Sequence, residues 1–109
     1  MPVEEVTQDS FKTDVENSDI PVIVDFNADW CVPCHMMKPE FDALSEEYDG
    51  KLKFASINCD NDTSILQRFS INAIPCLLIM KDGKEIGRLV GFMPREQLKL
   101  KIDKILSKI

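Results

Sequence analysis

The sequence lacks an excess of basic residues, a long apolar run and an export signal, and each absence excludes a class of protein. Thirteen Lys and Arg against nineteen Asp and Glu give a formal net charge of -6 without a basic stripe, which excludes nucleic acid as a partner. No stretch approaches the roughly twenty apolar residues of a membrane span. The first ten residues, MPVEEVTQDS, have neither a basic start nor an apolar core. We therefore expect a cytoplasmic protein without a membrane anchor.

What is present is the composition of one ordinary soluble domain. The 109 residues are 44% hydrophobic and 29% charged, and we expect a single domain over residues 1–109 that acts as a monomer. A chain of this length buries roughly two thirds of its unfolded surface, so folding needs no disulfide staple or structural metal. The four cysteines need another explanation. In a reducing cytoplasm, a Cys-x-x-Cys pair is more often catalytic or metal-binding than structural.

Hydrophobic periodicity predicts strands alternating with helices. Apolar, β-branched runs indicate four strands, namely Pro21–Phe26, Leu52–Asn58, Cys76–Met80 and Glu85–Val90. Apolar spacing of three to four residues indicates helices over Thr7–Asn17, Pro33–Tyr48 with a kink at Pro39, Asp62–Phe69, and from Pro94 with the stripe Leu98, Ile102, Ile105 and Ile109. The Asp82-Gly83 pair is typical of a hairpin turn. This order predicts a three-layer α/β domain with a mixed sheet.

The segment Trp30–Met36, WCVPCHM, is compatible with a redox dithiol, a haem attachment site or a zinc site. Haem attachment requires export, and zinc requires two further ligands, which Cys59 and Cys76 do not offer as a second close pair. Because the pair follows a strand and opens a helix, Cys31 meets unpaired N–H groups and the positive end of the helix dipole, which favour a thiolate. Thiolates attack disulfides, so we expect Cys31 to be the nucleophile and Cys34 the resolving thiol.

Asp25 is the one charged residue in an otherwise apolar strand. Burial without a partner would raise its pKa towards neutrality. It lies six residues before Cys31, at the carboxyl end of the predicted central strand, where open α/β sheets place their active sites. It is therefore a candidate proton carrier, the alternative being a carboxylate that faces solvent near the strand end. We expect His35 to be an exposed helix residue near the site rather than a metal ligand.

Taken together, these motifs resemble the thioredoxin family. The segment from Val24 to Cys34 resembles the family's strand and active-site segment, Met37-Lys-Pro39 its kinked helix, and Ile74-Pro75, Lys81–Lys84 and Val90-Gly91 its later landmarks. The resemblance spans nearly the whole chain. It implies an α/β thioredoxin fold with a mixed five-stranded sheet in the order 1-3-2-4-5 flanked by four helices. The implied activity is the reduction of protein disulfides.

The resemblance also implies roles for single residues. Asp25 would exchange a proton with Cys34, and the peptide bond before Pro75 would be cis. The backbone of Ile74 would pair with an extended substrate segment, on a docking surface that includes Trp30, Pro33, Pro75 and Gly91. No bound cofactor or metal is expected beyond the redox-active disulfide of Cys31 and Cys34. Electrons would come from a thioredoxin reductase and pass to protein disulfide substrates.

Four positions depart from the family pattern. Val32 stands where Gly is commonest and stiffens the segment between the cysteines, so we expect a shifted redox potential. Asn27 replaces an aromatic residue and Ser56 a lysine near Asp25, which affects the tuning of that carboxylate. Cys76 replaces Thr after Pro75 and is either buried packing or a third thiol able to exchange with the pair. Cys59 is expected to be packing.

Three rival functions remain at this point. The chain is alternatively an interaction subunit whose dithiol is incidental, or a metal-binding protein. A third alternative keeps the dithiol chemistry and reverses its direction, which would make the protein an oxidase or isomerase. The expected cytoplasmic location argues against this last reading.

Overall fold

The structure is a computed structural model that describes residues 2–60 and 63–109. Within these residues it contains five strands, β1 (Glu4–Glu5), β2 (Val22–Asn27), β3 (Lys53–Asn58), β4 (Cys76–Lys81) and β5 (Lys84–Val90). Four helices accompany them, α1 (Gln8–Phe11), α2 (Val32–Glu47), α3 (Ser64–Arg68) and α4 (Arg95–Leu106), and α1 continues into a π-helical segment, Lys12–Glu16. None of the described helices has the length and apolarity needed to cross a membrane.

The strands form one mixed sheet in the order β1-β3-β2-β4-β5, which confirms the implied topology. Strand β3 pairs in parallel with β1 and β2, whereas β4 is antiparallel to both β2 and β5. Strand β2 is central, and its Asp25 lies between Ser56 of β3 and Leu77 of β4. The β4–β5 hairpin turns at Asp82 and Gly83, whose φ angles of 52° and 77° suit a two-residue hairpin turn.

Helices cover both faces of the sheet, so the predicted three-layer architecture is confirmed. Val22, Val24 and Phe26 of β2 belong to a core that also contains side chains of α1, the π-helical segment and α3. Ile23 points to the opposite core, which is filled by side chains of α2 and α4. Because side chains alternate along a strand, Asp25 shares the face of Ile23 and lies towards α2.

The predicted elements agree with the structure except at particular ends. The helix predicted from Thr7 to Asn17 is present, but its second half is π-helical, with the Asn17 N–H donating to the Lys12 carbonyl. Asp62, the predicted start of the third helix, lies outside the described residues. The apolar stripe predicted for α4 is wrong at Ile109, which lies beyond the helix and is exposed. Helix α4 ends at Leu106, and the N–H of its C-cap residue Ser107 still donates to the Asp103 carbonyl.

Candidate active site

Cys31 and Cys34 lie at the start of α2, after the short segment that connects it to β2. Cys31 is the N-cap of α2, with extended backbone, and the backbone N–H of Cys34 donates to its sulfur over 3.2 Å. This contact confirms the expectation that Cys31 meets an unpaired N–H of the helix start. The two sulfurs are bonded to each other, and their Cα atoms are 5.2 Å apart, which lies within the usual range for a disulfide. An N–H donor and the helix dipole both favour a negative charge on the Cys31 sulfur.

Asp25 is buried, so the alternative of a solvent-facing carboxylate is wrong. Only 4% of its surface is exposed, and its Oδ1 oxygen makes no hydrogen bond with any described residue. Desolvation raises the pKa of Asp25 to about 7, with smaller contributions from the negative charges of Asp42 and Glu5, while Lys38 opposes the rise. A carboxyl group with this proton affinity gives up and accepts protons near neutral pH.

A polar cleft of about 390 Å³ connects Asp25 with the cysteine pair. Its wall includes Cys34, His35, Lys38 and Asp42 of α2, and residues of β1, β2 and β3 complete it. A cleft of this size has room for water molecules, while the Asp25 Oδ1 atom at its wall is itself almost inaccessible. Asp25 and Cys34 therefore line one cleft that solvent enters.

Asn27 and Ser56, two of the departures from the family pattern, are hydrogen-bonded to each other in this cleft. The Asn27 side-chain amide donates to Ser56 Oγ over 2.8 Å and to the backbone carbonyl of Asp25 over 3.0 Å. These bonds hold the carboxyl end of β2 against β3 without placing a charge beside the Asp25 carboxyl group. The proton affinity of Asp25 is therefore set by burial and by the charges on β1 and α2.

An apolar groove lies beside Cys31 and shares no lining residue with the cleft. It is lined by Trp30–Pro33, Leu66 and Ile71–Ile74, and Trp30 is 75% exposed. The Cys31 sulfur lies 3.9 Å from the carbonyl oxygen of Ile74. A large exposed apolar surface next to a reactive sulfur is typical of a docking site.

The structure brings only part of the predicted docking set into this groove. Trp30, Pro33 and Ile74 line it, whereas Pro75 is buried and Gly91 does not line it. The Ile74–Pro75 peptide bond is cis, which confirms that expectation. The Gly91 N–H donates to the Pro75 carbonyl over 2.8 Å, so Gly91 ties the end of β5 to the proline.

Sequence reasoning missed a hydrogen-bond network that fixes the segment before Trp30. The Asp29 N–H donates to Asp60 Oδ2 over 2.8 Å, and the Asn58 amide donates to Asp29 Oδ1 over 2.9 Å. The His35 ring nitrogen Nε2 lies 2.6 Å from the Asp29 carbonyl oxygen, and His35 is exposed, as expected. The available signal was the pair of Asp- and Asn-containing segments that directly follow two neighbouring parallel strands.

The other two cysteines are buried in the core. Cys76 is fully buried in the cluster that contains Phe26 and Leu78, and burial raises the pKa of its thiol. Cys59 is 3% exposed and belongs to the same cluster. Both observations favour packing over exchange with the active pair. Within the described residues, no group of three or more His, Cys, Asp or Glu side chains is arranged to hold a metal ion.

Comparisons with known proteins agree with this geometry. The family model described as Thioredoxin matches residues 2–104. The chain is 41% identical to a thioredoxin of Porphyra purpurea over 107 residues, which cover 98% of this chain and 100% of the relative. It is 38% identical to thioredoxin 1 of a Nostoc species over 94% of this chain and 95% of the relative, and 39% identical to a Synechocystis thioredoxin over the same shares. With this match, this fold and a disulfide-forming Cys31–Cys34 pair, the chain belongs to the thioredoxin family and is a thiol–disulfide oxidoreductase.

Proposed function

We propose that the protein reduces disulfides of other proteins, with Cys31 as the nucleophile. The reduced Cys31 thiolate attacks one sulfur of the substrate disulfide, a mixed disulfide forms, and the other substrate sulfur leaves as a thiolate. Cys34 then loses its proton and attacks the Cys31 sulfur, which releases the second substrate thiolate. Two electrons pass from the dithiol to the substrate, and the Cys31–Cys34 disulfide remains.

Asp25 takes the proton of Cys34 in the second step. As a carboxylate it accepts that proton through the cleft that the two residues share, and the resulting acid later protonates a released thiolate or water. Its pKa of about 7 keeps both forms populated near neutral pH. This role is supported by the burial of Asp25 and by its location beside Cys34, rather than by a direct contact.

Substrates dock on the apolar groove as extended segments. Trp30 and Pro33 offer apolar contact area, and the irregular segment before β4 presents the Ile74 backbone for pairing with a strand-like peptide. The Gly91 N–H donates to the carbonyl of Pro75, the residue after Ile74, and this bond stabilises the end of the segment. A disulfide held across Ile74 would lie beside the Cys31 sulfur, which is 3.9 Å from the Ile74 carbonyl.

We also propose a cellular setting for this chemistry. We place the protein in the cytoplasm as a monomeric electron carrier without a bound cofactor. A thioredoxin reductase restores the dithiol after each turnover. Membership of the thioredoxin family supports a reductase and protein substrates as partners in general terms. The equilibrium potential of the Cys31–Cys34 couple against glutathione distinguishes this reductant from an oxidase or isomerase of the same fold.

The observation that carries the proposal is the Cys34 N–H donated to the Cys31 sulfur beside an exposed groove. We expect reduced Cys34→Ser to accumulate a mixed disulfide with native, disulfide-bonded insulin as a model substrate, and Cys31→Ser to accumulate none. The matched control, Cys59→Ser, changes a buried cysteine outside the pair and should keep catalytic turnover. Full insulin reduction by both single variants of the pair would instead favour a binding protein with an incidental dithiol.

A further inference from the structure

The charges around Asp25 come almost entirely from one helix and one edge strand. Strand β1 contributes Glu5, the β2–α2 segment contributes Asp29, and α2 contributes His35, Lys38 and Asp42, together with Cys34, which is uncharged in the disulfide. From β3 only the neutral Ser56 and Asn58 line the cleft. Strand β4 places the apolar Leu77 beside Asp25, and its Cys76, which also interacts electrostatically with Asp25, is buried in the opposite core.

Lys38 is the one lysine or arginine among the described residues that line this cleft. Its ammonium group lies 3.1 Å from Asp42 Oδ2, one helical turn further along α2. Both residues are partly exposed, with 65% and 45% of their side-chain surfaces accessible, whereas Asp25 is buried with an unpartnered oxygen. The field of a charge at the rim acts most strongly on a buried group that water does not screen.

We propose that Lys38 and Asp42 act through Asp25 as positioning residues, Lys38 favouring the ionised carboxylate and Asp42 the protonated one. This inference rests on the proposed role of Asp25 and names the residues that regulate it. The two charges act on Asp25 with opposite sign and partly cancel there. Removing one member leaves the field of the other uncompensated, so the direction of the change is set by the charge that remains.

Titration of the oxidised protein tests the pair directly. The carboxyl carbon of Asp25 is followed by ¹³C NMR from pH 4 to 10 in wild type, Lys38→Met and Asp42→Asn. We expect the Asp25 midpoint to rise in Lys38→Met and to fall in Asp42→Asn, each by roughly half a pH unit. Lys38→Arg keeps the positive charge and should restore the wild-type midpoint. The double variant should also return close to wild type.

Matched controls separate a local field from net charge and from folding. Lys101→Met on α4 and Glu46→Gln on α2 make the same charge changes at exposed residues that do not line the cleft, and should move the midpoint by less than about 0.1 unit. Midpoints that move in one direction for both Lys38→Met and Asp42→Asn, or that move equally in the controls, would overturn the inference.

Kinetic measurements separate the influence of Lys38 and Asp42 on Asp25 from the proposed proton-carrier role of Asp25. The pH profile of insulin reduction should shift in the same direction as the NMR midpoint in each variant. In an Asp25→Asn background, Lys38→Met should leave the profile unchanged. If Asp25→Asn alone alters neither the rate nor its pH dependence, the proton-carrier role fails, while the NMR midpoints still decide whether Lys38 and Asp42 control Asp25.

Discussion

Replacing Asp25 by asparagine removes a buried charge of nearly the same shape, and we expect this change to stabilise the protein in a pH-dependent way. The pKa of Asp25 is about 7 in the folded protein against 3.8 for the free side chain, so the folded state binds the proton more tightly than the unfolded chain does. Most native carboxyl groups have a lowered pKa and stabilise the protein at high pH, whereas the raised pKa of Asp25 makes its contribution to stability largest at low pH. Its contribution is most favourable below pH 3.8, is lost as the pH rises towards about 7, and then stays constant.

The magnitude follows from the same two values. A difference of about three pH units, at about 1.4 kcal/mol each, gives an upper bound of about 4 kcal/mol. Water entering the cleft reduces this, so we expect Asp25→Asn to be about 2 to 4 kcal/mol more stable than wild type at pH 7.5. Below pH 4 the two proteins should be equally stable.

Urea denaturation of the oxidised proteins, repeated between pH 3.5 and 8.5, measures this difference. Comparing wild type with the variant at each pH cancels the titration of all other carboxylates. The control is Asp19→Asn, the same substitution at an exposed residue, which should differ from wild type by less than about 0.5 kcal/mol throughout. A constant difference between wild type and Asp25→Asn across this range would refute the reasoning, because only a titrating group makes it vary.

Three further predictions concern the core, the hairpin and the groove. Cys76→Ala should lower the free energy of unfolding by about 1 kcal/mol and leave insulin reduction unchanged. In wild type the buried Cys76 thiol should be alkylated only on unfolding, as measured by mass spectrometry. Rapid alkylation of Cys76 in the native protein would contradict this. Gly87→Ala should lower the free energy of unfolding in urea by about 1 kcal/mol, because its Cβ would lie 2.8 Å from Ile105 Cδ1. Adding Ile105→Val to Gly87→Ala should recover part of that loss. An equal loss in the single and the double variant would show that the clash is not the cause. Trp30→Ala should lower kcat/KM for insulin about tenfold and change kcat/KM for a small aromatic disulfide very little. Stability should also change little, since Trp30 is 75% exposed. Equal losses of kcat/KM on both substrates would instead give Trp30 a role in the thiol–disulfide exchange step.

The long elements and the cysteine pair were accessible from sequence because their physical signals are local. Apolar runs in β2 and β4 and the stripe of α2 fix which faces are buried, and the Cys31–Cys34 spacing fixes a shared helix face. Strand β1 carries no such signal, since Glu4 and Glu5 are two polar residues. It is defined by its parallel pairing with β3, in which Glu4 and Glu5 lie opposite Ala55 and Ser56.

The charge environment of Asp25 was the part that sequence could not supply. The expectation that burial would raise its pKa followed from one carboxylate in an apolar strand and is confirmed. The identity of its neighbours depends on parallel pairing that brings Glu5 across β3 and on the helix phase that turns Lys38 and Asp42 towards the cleft. Such juxtapositions arise from tertiary packing, so no local pattern records them.

The short span of the disulfide links two measurements that are usually made separately. Cys31 and Cys34 are separated by three positions, so closing the ring costs the unfolded chain about 2 kcal/mol of conformational entropy, less than a longer loop would cost. A closed thermodynamic cycle equates the gap in folding free energy between the oxidised and reduced proteins with the difference in reduction potential between the folded and unfolded chains. Denaturation curves of the two redox forms would consequently report, without an electrode, how strongly the fold itself biases the dithiol.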